Sequence, residues 1–102
     1  MGIDVRVESE SGEVIAEIGD AHGWTKALLP HLTDSESYCL RFVDRCGDAV
    51  FNQFQIPFLI TEVRRRLDQI REPAKREHAE EILRLIESAQ GKSHTYVRFL
   101  GD

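Results

Sequence analysis

The 102-residue chain has few of the residues that build metal centres, disulfide frameworks or membrane spans. It contains two cysteines, one methionine, one tryptophan and three prolines. No apolar run approaches the ~20 residues that a transmembrane helix needs. With 41% hydrophobic and 30% charged residues, the composition is that of an ordinary soluble protein. Its length predicts one domain over residues 1–102.

The two cysteines, Cys39 and Cys46, form no metal-binding or redox motif. Cys39 falls in a predicted strand and Cys46 in the turn after it, so extended chain would hold their α-carbons about 20 Å apart. A disulfide needs them within about 7 Å, and we therefore expect free thiols. Free thiols are typical of a reducing compartment, and the N-terminal residues show no signal-peptide pattern. We predict a cytoplasmic protein with no membrane contact.

Sequence motifs of catalysis are missing as well. The chain has no phosphate-binding glycine loop, nucleophile elbow or metalloprotease motif. We therefore predict a non-enzymatic protein with no catalytic residue, metal or cofactor. One alternative stays open, a small enzyme or metal-binding protein that uses Cys46 or the loop of residues 20–34. That loop carries two histidines and two carboxylates, which are potential metal ligands: Asp20, His22, His31 and Asp34.

Negative charge is concentrated near the N-terminus. The net charge is −5; residues 1–37 carry eight acids against two bases, and residues 38–102 carry ten acids against eleven bases. Binding to nucleic acid requires clustered Lys and Arg, and the arginines of residues 64–66 diverge around a helix and alternate with acids. We predict no nucleic-acid binding. An acidic segment favours a basic protein partner.

The hydrophobic periodicity predicts the element order β-β-β-β-α-α-β. Strands show alternating apolar residues, and helices show an apolar stripe at helical spacing. Pro57 and Pro73 suit the first turns of the two helices, and Gly91 suits the end of the second. The predicted fold is α+β, an antiparallel-rich sheet of about five strands with a helical hairpin on one face. The predicted strands cover residues 3–8, 13–18, 38–43, 49–54 and 94–100.

Two of these predicted strands share a pattern in which an arginine stands between apolar residues. Leu40-Arg41-Phe42 in one resembles Val97-Arg98-Phe99 in the other. Alternation along a strand would direct both arginines to the face without helices. Arginines, an aromatic ring and acids there resemble an interface, whereas a solvated face would pair the same charges across strands. The predicted partner-binding residues are Asp4, Arg6, Glu17, Arg41, Tyr96 and Arg98.

Three segments carry a resemblance to known sequences: the opening Ile3-Asp4-Val5, the turn of residues 47–52 and the ending of residues 94–102. They resemble small bacterial proteins of about this length that have no assigned activity. The resemblance covers the whole chain and implies a compact bacterial cytoplasmic protein, but it transfers no functional residue. Small size and acidity are also similar, by analogy only, to immunity proteins that neutralise toxins.

The sequence thus favours a protein-binding module of the inhibitor or immunity type. The alternative is a homodimer with a structural or regulatory role that uses the same sheet face. The sequence names neither the partner nor the oligomeric state.

Overall fold

The computed structural model describes residues 2–101 and contains one four-stranded antiparallel sheet with two helices on one face. The strands follow the order β2-β1-β4-β3 across the sheet. Short 3-10 helices lie at Thr25–Leu28 and Leu40–Phe42. The strands are β1 (Ile3–Ser9), β2 (Val14–Ile18), β3 (Asp48–Phe51) and β4 (Thr95–Gly101), and the helices are α1 (Ile56–Leu67) and α2 (Pro73–Ala89).

The inner face of the sheet is built by the alternating residues of the two central strands. Val5 lies opposite Phe99, and Val7 lies opposite Val97. All four side chains are at most 3% exposed and share one core with apolar residues of both helices. Phe51 on β3 meets Phe99 edge-on, with ring centroids 5.8 Å apart. The alternation predicted for β1 and β4 is confirmed.

Each helix lays its apolar stripe on the core. Leu59 and Val63 of α1, and Ile82 and Ile86 of α2, are completely buried. Pro57 occupies the first turn of α1, where its missing N–H leaves no hydrogen bond unmade. Gly91 follows α2 with a φ of +77°, a conformation that favours glycine. Neither helix could serve as a membrane span, for both are too short or too polar.

The predicted strand of residues 38–43 is wrong, and the sheet has four strands rather than about five. This segment forms the 3-10 helix Leu40–Phe42, because its backbone N–H groups bond to a buried carboxylate of α1 instead of to a neighbouring strand. Residues 38–43 and the predicted strand of residues 49–54 therefore form no strand pair. β4, the last strand in the chain, lies between β1 and β3.

Candidate interaction surfaces

The sheet face without helices, here called the uncovered sheet face, carries a row of alternating charges across all four strands. Arg6 on β1 lies directly opposite Arg98 on β4. The Arg98 side chain donates to Glu8 Oε1 at 2.9 Å and to Asp48 Oδ2 at 3.1 Å. Arg6 donates to Glu17 on β2. The carboxylates thus offset the repulsion between the two facing arginines. The row runs Glu17–Arg6–Glu8–Arg98–Asp48.

The guanidinium groups of this row are held by carboxylates of the same chain. The hydrogen bond to Glu17 raises the pKa of Arg6, and the hydrogen bond to Glu8 raises the pKa of Arg98. The Glu8 side chain is only 7% exposed beneath the two arginines. The cross-strand pairing that the sequence left open as an alternative is therefore present, and the arginines meet solvent already paired.

Five of the six predicted site residues come together on this face. Tyr96 pairs with Glu8 across the strands and is half-buried. Asp4 lies beside Leu100, and its Oδ1 accepts the N–H of Asp20 at 2.9 Å. Arg6, Glu17 and Arg98 belong to the charge row.

Arg41, the sixth predicted site residue, lies outside the sheet, so its predicted place on the face without helices is wrong. Its backbone belongs to the 3-10 helix Leu40–Phe42. Its guanidinium carbon lies 4.7 Å from the centre of the Phe42 ring, and its Nη1 donates to the Asp34 carbonyl at 3.2 Å. Arg41 and Arg98, which share a sequence pattern, therefore lie in different kinds of secondary structure.

A second candidate surface, here called the aromatic surface, is defined by four exposed rings on two neighbouring segments: Tyr38, Phe42, Phe54 and Phe58. Their exposed fractions are 66%, 56%, 75% and 55%, in that order. They are half of the chain's eight Phe, Tyr and Trp residues. The Tyr38 and Phe58 rings meet edge-on with centroids 6.0 Å apart. Such a concentration of exposed rings is uncommon on a surface that contacts only water.

The aromatic surface is presented by two segments in contact, residues 38–42 and 54–58. Cys39 Sγ lies 3.9 Å from the Gln55 carbonyl oxygen, which joins the segments below the Tyr38–Phe58 contact. Phe58 lies in the first turn of α1, and Phe54 lies four residues earlier, in the turn that leads into the helix. Their side of the helix is opposite to its buried stripe. The fold therefore holds these rings outward.

Glu62 of α1 fixes the first of these segments. The carboxylate is 4% exposed and accepts four hydrogen bonds. The donors are Ser37 Oγ at 2.6 Å and the backbone N–H groups of Tyr38, Cys39 and Leu40 at 2.8, 3.0 and 3.1 Å. Helical spacing alone would put Glu62 within reach of Arg65 or Arg66 on the surface of α1. In the structure it is instead the buried anchor of residues 37–40.

Both cysteines are free thiols, as predicted, but their environments differ. Cys39 is 1% exposed, and burial raises its pKa to about 12, with the negative charge of Glu62 adding to the effect. Cys46 is exposed. Cys39 is therefore a packing residue, while Cys46 is open to reagents.

The loop residues considered as metal ligands do not assemble into a site. Within residues 2–101, no three His, Cys, Asp or Glu side chains group around a possible metal position. Asp20 instead holds the loop together, since its carboxylate accepts the backbone N–H groups of Ile3, Trp24 and Thr25 at 2.9, 2.7 and 3.2 Å. His78 of α2 completes this cluster, with Nε2 at 2.9 Å from Thr25 Oγ1.

Burial alone would raise the pKa of Asp20, because it penalises the charged form. The three backbone donors outweigh that effect and hold the pKa below its ordinary value. Asp20 is therefore ionised and fully occupied in tying the start of β1 to the loop.

None of the four exposed rings is among the residues that the sequence predicted for the site. A usable signal was present, since Phe54 and Phe58 share a helix side that the apolar stripe does not use. Tyr38 and Phe42 gave no such signal, because they fall in the segment of residues 38–43 that was predicted as a strand. Comparison of the chain with protein-family models, with curated proteins and with solved structures finds no match.

Proposed function

We propose that this protein is a non-enzymatic module that binds a protein partner through the aromatic surface. The observation that carries the proposal is the exposure of four aromatic side chains, each more than half open to solvent, on two packed segments. Aromatic residues supply much of the energy of protein interfaces because each buries a large area while losing little conformational freedom. Tyr38 and Phe58, already in contact, form the expected anchor.

The partner that fits this surface has an apolar patch bordered by Lys and Arg. Between residues 34 and 48 the chain carries four acids and two bases, and the whole chain has a net charge of −5. Glu36, two residues before Tyr38, has its side chain 83% exposed. Opposite charge on the partner would speed association and favour one orientation. Inhibition of a basic enzyme or toxin is a function of this kind.

The buried polar groups are engaged in hydrogen bonds within the fold, which supports binding rather than catalysis. Glu62 is saturated by four donors, and Asp20 is engaged by three backbone amides. The high pKa of Cys39 keeps that thiol protonated. These groups position loops, whereas an acid, base or nucleophile needs access to a substrate.

Site-specific photo-crosslinking in the producing cell tests the proposal. A photoreactive phenylalanine analogue replaces Tyr38 or Phe54, with Glu81 on the exposed side of α2 as the matched control. We expect one discrete protein adduct from the first two positions and none from the control. Adducts that are equal at Glu81, or absent at every position, would contradict the proposal. An adduct of two copies of the chain would show the homodimer instead.

The uncovered sheet face is the second candidate surface, favoured by the half-exposed Tyr96 and Leu100 beside the charge row. Because its arginines are paired within the chain, recognition there would depend on these apolar side chains. The same photoreactive group at Tyr96 distinguishes the two surfaces. An adduct from Tyr96 without one from Tyr38 or Phe54 would assign the partner to the sheet.

A further inference from the structure

A cleft beside the loop of residues 20–27 is basic although the protein is acidic. It consists of two adjoining cavities of about 220 and 260 Å³, which share Gly23 and Lys26 in their walls. Arg45 lines the first and Lys75 lines the second. None of the four rings of the aromatic surface lines either cavity. We call this feature the basic cleft.

The positive charge of the basic cleft is poorly neutralised by the chain. Lys26 forms no ion pair with any carboxylate of residues 2–101, and the partner of Lys75 is Glu72 at 3.4 Å, whose side chain is 71% exposed. Asp20 also lines the cleft, but its side chain is 1% exposed and its oxygens accept backbone amides. An anion entering the cleft would therefore meet available ammonium groups.

An aromatic pair forms one wall of the larger cavity. The His22 and Trp24 rings are stacked with centroids 4.3 Å apart and planes inclined by 23°. Trp24 is held in place because its backbone N–H donates to Asp20 Oδ1 at 2.7 Å and its ring meets His78 edge-on at 6.2 Å. Gly23 allows the tight turn between the two rings with a φ of +70°. The wall is thus organised before any ligand arrives.

We infer that the basic cleft binds a small organic anion that carries a flat aromatic ring. Lys26 and Lys75 would hold the anionic group, and the ring would pack against the His22–Trp24 pair. A mononucleotide combines both chemical features and serves as the probe. This inference is independent of the proposed protein partner, because a different part of the fold carries it.

Trp24 makes the test direct, because it is the chain's one tryptophan and lies in the wall of the cleft. Its fluorescence is titrated with adenosine monophosphate, and amide NMR shifts of Gly23, Lys26 and Lys75 report the same binding independently. We expect a saturable change with adenosine monophosphate and weaker binding of adenosine or inorganic phosphate alone. The double variant Lys26→Ala with Lys75→Ala should weaken binding roughly tenfold or more, since two charged donors are lost.

Lys92→Ala is the matched control, since it removes an exposed lysine in the turn after α2, and it should leave the affinity unchanged. NMR spectra of the variants verify that each is folded. No saturable response to adenosine monophosphate at millimolar concentration would overturn the inference. Equal affinity in the double variant, or equal affinity for adenosine, would overturn it too.

Discussion

At the scale of single residues, the two thiols should differ in reactivity because their surroundings differ. We expect Cys46 to react rapidly with a thiol reagent in the folded protein and Cys39 to remain unmodified. Cys46 is exposed, whereas Cys39 is buried beside Glu62 with its pKa raised to about 12. Since the thiolate is the reactive form, both burial and pKa protect Cys39. Counting labelled thiols under native conditions and in denaturant measures this difference.

The variant Cys46→Ser supplies the control for this measurement. It should abolish rapid labelling under native conditions while leaving one thiol that reacts after denaturation. Rapid modification of Cys39 in the folded variant would show that the segment around Tyr38 opens readily, contrary to the packing described above.

At the scale of elements, the sequence succeeds where one periodic pattern dominates. α1 and α2 follow from stripes of apolar residues that only a helix brings together, and β1 follows from strict alternation. Residues 38–43 also alternate, but a strand there would need a hydrogen-bonded neighbour. The carboxylate of Glu62, more than twenty positions away, takes those N–H groups instead. A local sequence pattern carries no information about a hydrogen-bond acceptor so far away along the chain.

Glu62 is therefore expected to control the order of the segment that bears Tyr38. In Glu62→Gln an amide NH₂ group replaces one acceptor oxygen and faces backbone donors, so hydrogen bonds are lost. We expect the free energy of unfolding to fall by about 1–3 kcal/mol. Hydrogen exchange at the amides of Tyr38, Cys39 and Leu40 should accelerate more than exchange in the sheet. Urea denaturation and exchange followed by NMR measure both effects.

Glu81→Gln, on the exposed side of α2, is the matched control for this substitution and should change neither quantity. If Glu62→Gln behaved like the control, the carboxylate would not be the anchor of residues 37–40. A loss of stability spread evenly over the fold, with no local acceleration of exchange, would contradict its role in this segment.

At the scale of the whole molecule, placing both helices on one side of the sheet separates three surfaces with different chemistry. The uncovered sheet face neutralises its own arginines, the aromatic surface exposes four rings, and the basic cleft is lined by Lys26, Arg45 and Lys75. The first was predictable because strand alternation assigns residues to faces. Phe54 and Phe58 also gave a sequence signal, but the rest of the aromatic surface and the basic cleft depend on tertiary contacts. These contacts join Glu62 to residues 37–40, and Asp20 to Ile3 and Trp24.

The Asp20 cluster predicts how the stability of the whole fold responds to acid. Its folded-state pKa lies below the ordinary value of 3.8, so ionised Asp20 stabilises the protein above that pH. The contribution is lost as the pH falls from about 4 through the folded-state pKa, where the carboxylate becomes protonated. In Asp20→Asn the contribution is missing at every pH. We therefore expect the variant to be about 1–3 kcal/mol less stable at neutral pH and the difference to shrink in acid.

Urea denaturation of both proteins from neutral pH down to about pH 3 measures this difference. Asp68→Asn, at the exposed end of α1, removes a carboxylate that accepts no backbone hydrogen bond in the described residues 2–101, and its effect should be small throughout. A difference between wild type and Asp20→Asn that stayed constant into acid would show that the amide, through its shape, destabilises the fold without any link to the charge. A difference that grew in acid would reverse the assigned sign, because the neutral form of Asp20 would then be the one that the fold favours.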